Sequence, residues 1–284
     1  MIIIFAAFRN EVKGIIKKIR HRGTSYGFIG SKNNVCNGYL KIDGKEQEIL
    51  ICITGLGADN AMRAAEKVMH AGIRGIRDAV LLVLGISGST DERIKEGDIV
   101  IYNRLLNLDF LKVHNKRSLQ YFFNEDYKES KPLPKEILDG FINLNHKWQN
   151  DSYKIHEDSG ACVPFLIGTY LEKLEIGRNF NVSAVDMESY HIARIAGENK
   201  IPFGVIRAIS DDIFTEIPDY LQDIGSRSLR YKLVLFARTI FSVAGMKQII
   251  RLLKGMKKAA DNLNDFVIKE IIPFIHKKYF LNYK

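Results

Sequence analysis

Carboxylates, hydroxyls and glycines recur in this chain directly after short apolar runs. Glu11 follows Ile2–Ala6, and Gly55 and Gly57 follow Ile49–Ile53. Gly85-Ile86-Ser87-Gly88-Ser89-Thr90 follows Ala79–Leu84. Met187 and Glu188 follow Val182–Val185, and Ser210, Asp211 and Asp212 follow Pro202–Ile209. The Gly85–Thr90 segment offers amides and hydroxyls suited to an anion or a sugar, although a plain turn carries the same residues. Glu188 taken alone reads as a partner for a helix dipole. Ser210 and Asp211 taken alone read as helix N-caps. Their joint placement is what points to a site. In an open α/β sheet the carboxyl ends of parallel strands share one edge, and ligands bind outside it.

The elements that must position these groups alternate between strand and helix. The apolar runs lack polar alternation, as expected of strands covered on both faces. Asp98–Tyr102 supplies a fourth run before the short Val182–Val185. Glu11–His21, Ala58–Ala71, Pro134–Trp148, Pro164–Ile176 and Met187–Glu198 have helical spacing. Asn107–Tyr127 has the weakest pattern and reads as a loop or lid. The fold class is α/β, with a central sheet flanked by helices.

The chain has 284 residues, 46% of them apolar and 26% charged, with 42 basic and 33 acidic side chains and a net charge of +9. This composition excludes a disordered chain, a collagen and a disulfide framework. Gly225–Lys284 holds 13 basic and 3 acidic residues, a net of +10, so residues 1–224 carry a net of −1. A nearly neutral body argues against nucleic-acid binding. Cys36, Cys52 and Cys162 are odd in number and far apart, which fits a reducing cytoplasm and no zinc pattern. No basic residue precedes the opening apolar run, and Arg9 and Glu11 interrupt it, so a buried strand is expected there rather than a secretion signal. Gly55-Leu56-Gly57-Ala58-Asp59-Asn60 lacks the third glycine of a dinucleotide fingerprint and reads as a tight strand-to-helix turn.

Ala184-Val185-Asp186-Met187-Glu188-Ser189 followed by Arg207-Ala208-Ile209-Ser210-Asp211 resembles the purine nucleoside phosphorylase and nucleosidase superfamily. Gly55-Leu56-Gly57, Gly85–Gly88, Glu96-Gly97-Asp98-Ile99-Val100 and Ala7-Phe8-Arg9-Asn10-Glu11-Val12 fit the same pattern, in order, across roughly residues 1–215. The methylthioadenosine/S-adenosylhomocysteine nucleosidases are one similar branch. The hopanoid-biosynthesis-associated nucleosidase/phosphorylases, which act on adenosylhopane, are more similar in Val185–Ser189, His191, Ile86 and the basic extension.

The resemblance implies a phosphorylase/hydrolase-like three-layer fold and cleavage of a purine N-glycosidic bond, with release of adenine. It assigns Asp211 the acid that serves the purine N7, with Ser210 beside it. It assigns Glu188 the ribose hydroxyls, Met187 the ribose face and Glu11 the activation of water. Gly85, Ser87 and Gly88 would form the anion or sugar loop. Val163 falls where related enzymes carry a purine-stacking residue, with Phe165 close by. Phosphorylases of this type place an arginine where this chain has Val83, so water is favoured over phosphate as nucleophile, with phosphate kept as the alternative co-substrate. Arg207 is expected in a buried ion pair and His191 in packing. No metal or redox cofactor is expected, and a homo-oligomer is implied.

Two regions are expected: a catalytic domain over residues 1–224 and a basic amphipathic helical extension over 225–284. Leu229, Leu233, Phe236, Ile240 and Ala244 recur at helical spacing within Arg227–Lys258, and Asp261–Lys278 forms a second helix interrupted by Pro273. Such helices can dock on the body or rest on anionic lipid. The expected partners are an adenosyl small molecule or adenosyl lipid, and a membrane surface through the extension. The expected location is the cytoplasm or the inner membrane face.

Overall fold

The computed structural model describes residues 1–21, 34–108, 110–115, 118–123, 129–130, 152–217 and 243–281. Its centre is β1 (Ile2–Ala6), in which every residue is buried. Four β-branched or aromatic side chains in succession suit a strand packed on both faces. β1 runs parallel to β4 (Lys45–Ile53) on one side and to β5 (Val80–Ser89) on the other. β5 pairs in parallel with β12 (Phe203–Asp211), which is buried throughout. The order then continues through β6 (Ile99–Asn107), β10 (Ile155–Cys162) and β11 (Ala184–Asp186). β11 also pairs antiparallel with β5, which closes these five strands into a ring. β3 (Val35–Ile42) and β2 (Arg20–His21) extend the other edge.

Alternate residues of the central strands feed two cores. Ile2, Ile4, Ile49, Ile51, Leu82 and Leu84 point to one face. Ile3, Phe5, Leu50, Cys52, Leu81 and Val83 point to the other. Helices α2 (Ala58–His70) and α4 (Ser189–Glu198) cover the second face with Ala61, Ala65, Ile192 and Ala196. α1 (Lys13–Lys18) and the long α5 (Val243–Phe266) cover the first. The fold is thus the three-layer α/β arrangement expected, with a C-terminal helix.

Several elements differ from the sequence reading. Gly85–Ser89 is not a loop, because β5 continues through Ser89. Pairing with β12 and β11 satisfies the backbone there, so the glycines do not end the strand. The Asn107–Tyr127 segment contains a hairpin, β7 (Phe110–Asn115) with β8 (Ser118–Phe123), and the short β9 (Glu129–Ser130) then pairs antiparallel with β6. α3 spans Tyr170–Phe180 rather than Pro164–Ile176, because Thr169 and Glu172 form a capping box that sets its start. Glu11–His21 divides into a short 3-10 turn (Arg9–Val12), α1 and β2. The strands β3 and β10 were not anticipated. The helix expected over Pro134–Trp148, and residues 225–242 and 282–284 of the extension, lie outside the described residues.

Pro273 does not split the C-terminal helix. Helical structure runs from Val243 to Leu281, with π-helical stretches over Val267–Ile271 and His276–Leu281. Ala259, Leu263, Phe266, Val267, Ile271 and Ile275 share one core with Ile2 and Ile4. The inner face of this helix therefore belongs to the body. Met246, Ile250, Leu253 and Met256 on its outer side remain 39–59% exposed.

Candidate active site

β5 acts as the ruler of the site. Its parallel register with β12 sets Arg207 opposite Gly85 and Asp211 opposite Gly88. The register slips between Ile209 and Asp211, which leaves Ser210 as an extra residue. Such bulges re-aim side chains beside functional sites. The antiparallel register with β11 sets Val185 opposite Gly88, so the chain from Asp186 to Glu188 returns along β5 toward Gly85. The carboxyl ends of β1 and β4 are adjacent because these strands are parallel to β5 or reach it through β1.

At Gly85 the Arg207 guanidinium meets the carboxylates of Glu11, Asp186 and Glu188. A Cβ added there would run into the Arg207 guanidinium and lie 3.1 Å from Glu11 Oε1, so glycine is required for space. Glu11 is buried, and its carboxylate accepts from the Phe8 N–H at 2.8 Å and the Ile86 N–H at 3.1 Å. Burial pushes its pKa up, and the charge of Arg207 works against that rise. Glu188 Oε1 accepts from the Gly57 N–H at 2.7 Å, at the start of α2, and Oε2 lies 3.6 Å from Arg207 Nη2. Gly57 adopts φ +91°, a conformation that favours glycine. Burial raises the Glu188 carboxyl to about 7; Arg207 opposes this and Asp186 adds to it.

Arg207 forms the buried ion pair expected of it. Its Nε and Nη2 donate to Ser189 Oγ at 3.0 and 2.7 Å, and Nη2 lies 3.1 Å from Asp186 Oδ1. Burial disfavours its charge, but Asp186 and Glu188 outweigh that and hold its pKa above the ordinary value. Asp186, to which the sequence reading gave no role, also caps the Glu188 and Ser189 N–H groups at 2.9 and 2.7 Å. It thereby fixes the turn that aims Glu188.

At Gly88 the second group gathers. Asp211 Oδ2 would lie 2.9 Å from a Cβ on Gly88. Ser210 Oγ lies 2.6 Å from Asp211 Oδ1 and 3.2 Å from the Ser87 carbonyl, either of which can accept its proton. Lys173 Nζ donates to Asp211 Oδ2 at 2.7 Å. Burial pushes the Asp211 carboxyl up, while Lys173 pulls it down. No local sequence signal marks Lys173, because its partner is 38 residues away and its own helix looks ordinary.

Met187, Val163 and Phe165 belong to a third apolar cluster with Ala161 and Val185. Val163 is buried within it, and its N–H donates to the Asp186 carbonyl at 2.7 Å. Met187 and Phe165 are only partly buried, so they offer the more accessible apolar surface. Of the residues singled out from sequence, Glu11, Glu188, Gly85, Ser87, Gly88, Ser210 and Asp211 come together along β5, and Met187 and Val163 adjoin them through β11. Gly85 and Gly88 are three residues apart, about 10 Å along an extended strand. Asp211 stands near Gly88, and Glu11 and Glu188 stand by the Arg207 guanidinium at Gly85, a spacing that suits a ligand laid along β5.

A family profile described as the phosphorylase superfamily matches residues 1–227. A 5'-methylthioadenosine/S-adenosylhomocysteine nucleosidase of Treponema pallidum is 22% identical over 261 residues, covering 86% of this chain and 94% of that protein. Among solved structures, a Borrelia burgdorferi protein described as a putative nucleosidase of the same kind, bound to adenine, superposes with a TM-score of 0.62 at 23% identity, covering 94% of this chain and 97% of that one. The futalosine hydrolase of Helicobacter pylori gives a TM-score of 0.64 at 15% identity, covering 95% and 97%. At these identities the structural likeness speaks for the fold.

Proposed function

Because the chain belongs to the phosphorylase superfamily, we propose that it is an enzyme that cleaves the N-glycosidic bond of an adenosyl substrate and releases adenine. The observation that carries this reading is the convergence of Glu11, Glu188 and Asp211 on β5 between Gly85 and Gly88. A nucleoside lying along this strand would set its base toward Asp211 and its sugar toward Glu188 and Glu11.

Glycosidic cleavage develops positive charge on the sugar and negative charge on the departing purine. Asp211 serves the purine N7 as the acid, and its buried site favours holding a proton. Glu188 as a carboxylate accepts from the ribose hydroxyls and favours the positive sugar. Glu11 takes a proton from water, and its raised pKa brings a carboxylate base closer to neutral pH. Water is the favoured nucleophile over phosphate. Among the described residues, the buried cations of the site, Arg207 and Lys173, already face carboxylates, which leaves them ill-suited to hold a further anion.

The 5′-substituent is read as a lipid, adenosylhopane, with a soluble thioether nucleoside as the competing substrate. Support comes from α5. Met246, Ile250 and Leu253 form an exposed apolar stripe beside Lys247, Lys254 and Lys257, an arrangement suited to an anionic bilayer. No helix among the described residues is long and apolar enough to cross a membrane. An adenine-release assay with an adenosyl lipid and with methylthioadenosine, each with and without phosphate, tests the reading. Adenine release in phosphate-free buffer supports hydrolysis, and strict phosphate dependence overturns the role of Glu11. Asp211→Asn should slow adenine release about 100-fold or more in a folded protein, to a residual rate that can still be measured. Weaker binding of Leu253→Glu to phosphatidylglycerol vesicles is expected, and unchanged binding would remove α5 as the contact.

A further inference from the structure

We propose that Lys173 is a positioning residue for glycosidic cleavage, an ammonium that fixes the orientation and sets the protonation of Asp211. The proposal rests on the reading of Asp211 as the acid. The Lys173 side chain is fully buried. Its Nζ has three acceptors, Asp211 Oδ2 at 2.7 Å, the Asp212 carbonyl at 2.8 Å and the Thr215 carbonyl at 2.9 Å. An ammonium has three N–H groups, whereas a neutral amine has two and a lone pair. Three acceptors therefore match the charged form, and a neutral lysine would turn its lone pair toward an oxygen.

The cation does two things. It ties the Asp211 carboxylate to the backbone turn that follows β12, which fixes the oxygen on the Lys173 side and leaves Oδ1 toward Ser210. It also opposes burial, which by itself favours the protonated acid. Among the described residues, the other charged groups around Asp211 do not replace it. Asp212, its neighbour in sequence, raises the Asp211 pKa. Glu172 on α3 is turned to its own helix start, accepting from the Gly168 and Thr169 N–H groups at 3.0 Å. Arg251 of α5 reaches Thr215 Oγ1 at 3.4 Å. Glu96 approaches Gly255 on α5, near the Ser210 carbonyl. On β5 the facing residues are Ser87 and Gly88, neither of which carries a charge at neutral pH.

The sign of the effect follows. An acid must hold its proton in the free enzyme, so kcat/KM falls as pH rises through the Asp211 pKa. An opposite charge in contact lowers a carboxylate pKa by about one to three pH units. Removing Lys173 should therefore move the alkaline limb of kcat/KM upward by about one pH unit or more. It should also lower kcat, because the carboxyl loses its anchor.

The test compares pH profiles of adenine release for the full-length wild type, Lys173→Met and Lys173→Arg. The expected result is an upward shift of the limb in Lys173→Met and a limb close to wild type in Lys173→Arg, which retains the charge. A fall in kcat in Lys173→Met with the limb unmoved would show a purely structural lysine and overturn the proposal. Should Lys173→Met fail to fold, the double variant Lys173→Met/Asp211→Asn carries no unpaired buried charge and serves instead. If Lys173 acts through Asp211, the double variant should be no slower than Asp211→Asn alone. A further tenfold loss in the double variant would overturn the proposal. Full adenine release by Asp211→Asn would instead overturn the reading of Asp211, and is recognisable from that variant alone.

Discussion

Replacing Glu188 by glutamine separates the electrostatic cost of this carboxylate from its use. Glu188 is buried, accepts from the Gly57 N–H at 2.7 Å and stands 3.6 Å from Arg207. Even so, burial lifts its pKa from 4.5 to about 7. That gap corresponds to about 3 kcal/mol in favour of the protonated form in the folded protein. The raised folded pKa means that its stabilising contribution is complete below about 4.5 and is lost as pH rises through about 7. A glutamine oxygen can keep the Gly57 bond without a charge. Glu188→Gln should therefore match wild type in stability near pH 4.5 and exceed it by up to about 3 kcal/mol above pH 7. Urea unfolding across pH 4.5–8 measures the difference. Adenine release should move the other way, falling about 10- to 100-fold, because a bond to a charged acceptor contributes about 1.5–3 kcal/mol. Wild type should also lose kcat/KM below pH 7, where Glu188 becomes protonated, and the variant should lose that limb. A Glu188→Gln protein less stable than wild type at pH 8, or a stability difference that ignores pH, would refute the reasoning.

Gly85→Ala forces a Cβ against Arg207 and Glu11, so a loss of about 1–3 kcal/mol and a drop in activity are expected by thermal unfolding and adenine release. Asn264→Ala removes the acceptor of the Ile15 N–H and the donor to the Glu11 carbonyl. It should cost about 2–4 kcal/mol, since two buried backbone groups lose partners, and kcat/KM should fall because the Glu11 turn loosens. Thr169→Ala deletes the cap of α3 and should cost about 1 kcal/mol by urea unfolding.

Much of the fold was legible because its strongest signals are local. Ile2–Phe5, Leu81–Leu84 and Val205–Ile206 are apolar without alternation, and each lies in a strand packed on both faces. The carboxylates and glycines after those runs were visible as a set because parallel strands share their carboxyl edge. The extent of β5 was not legible. Gly85 and Gly88 look like breakers, and pairing with β12, joined at Gly88 by β11, keeps them in a strand. β3 carries Asn37, Gly38 and Lys41, a mixed pattern that makes sense only beside β4.

By itself, then, the sequence determined the α/β class, the central strands and the residue types that surround the site. It also located the excess charge in the last sixty residues, although the tertiary structure alone shows that the inner face of α5 completes the core under β1. Which acid stands beside which cation was likewise a tertiary decision. Lys173 reaches Asp211 from another helix, and Arg207 joins Asp186, Glu188 and Glu11 through the registers of three strands. A charge pair between distant segments leaves no local pattern, since its energy depends on burial and distance, and both arise only when the chain has packed.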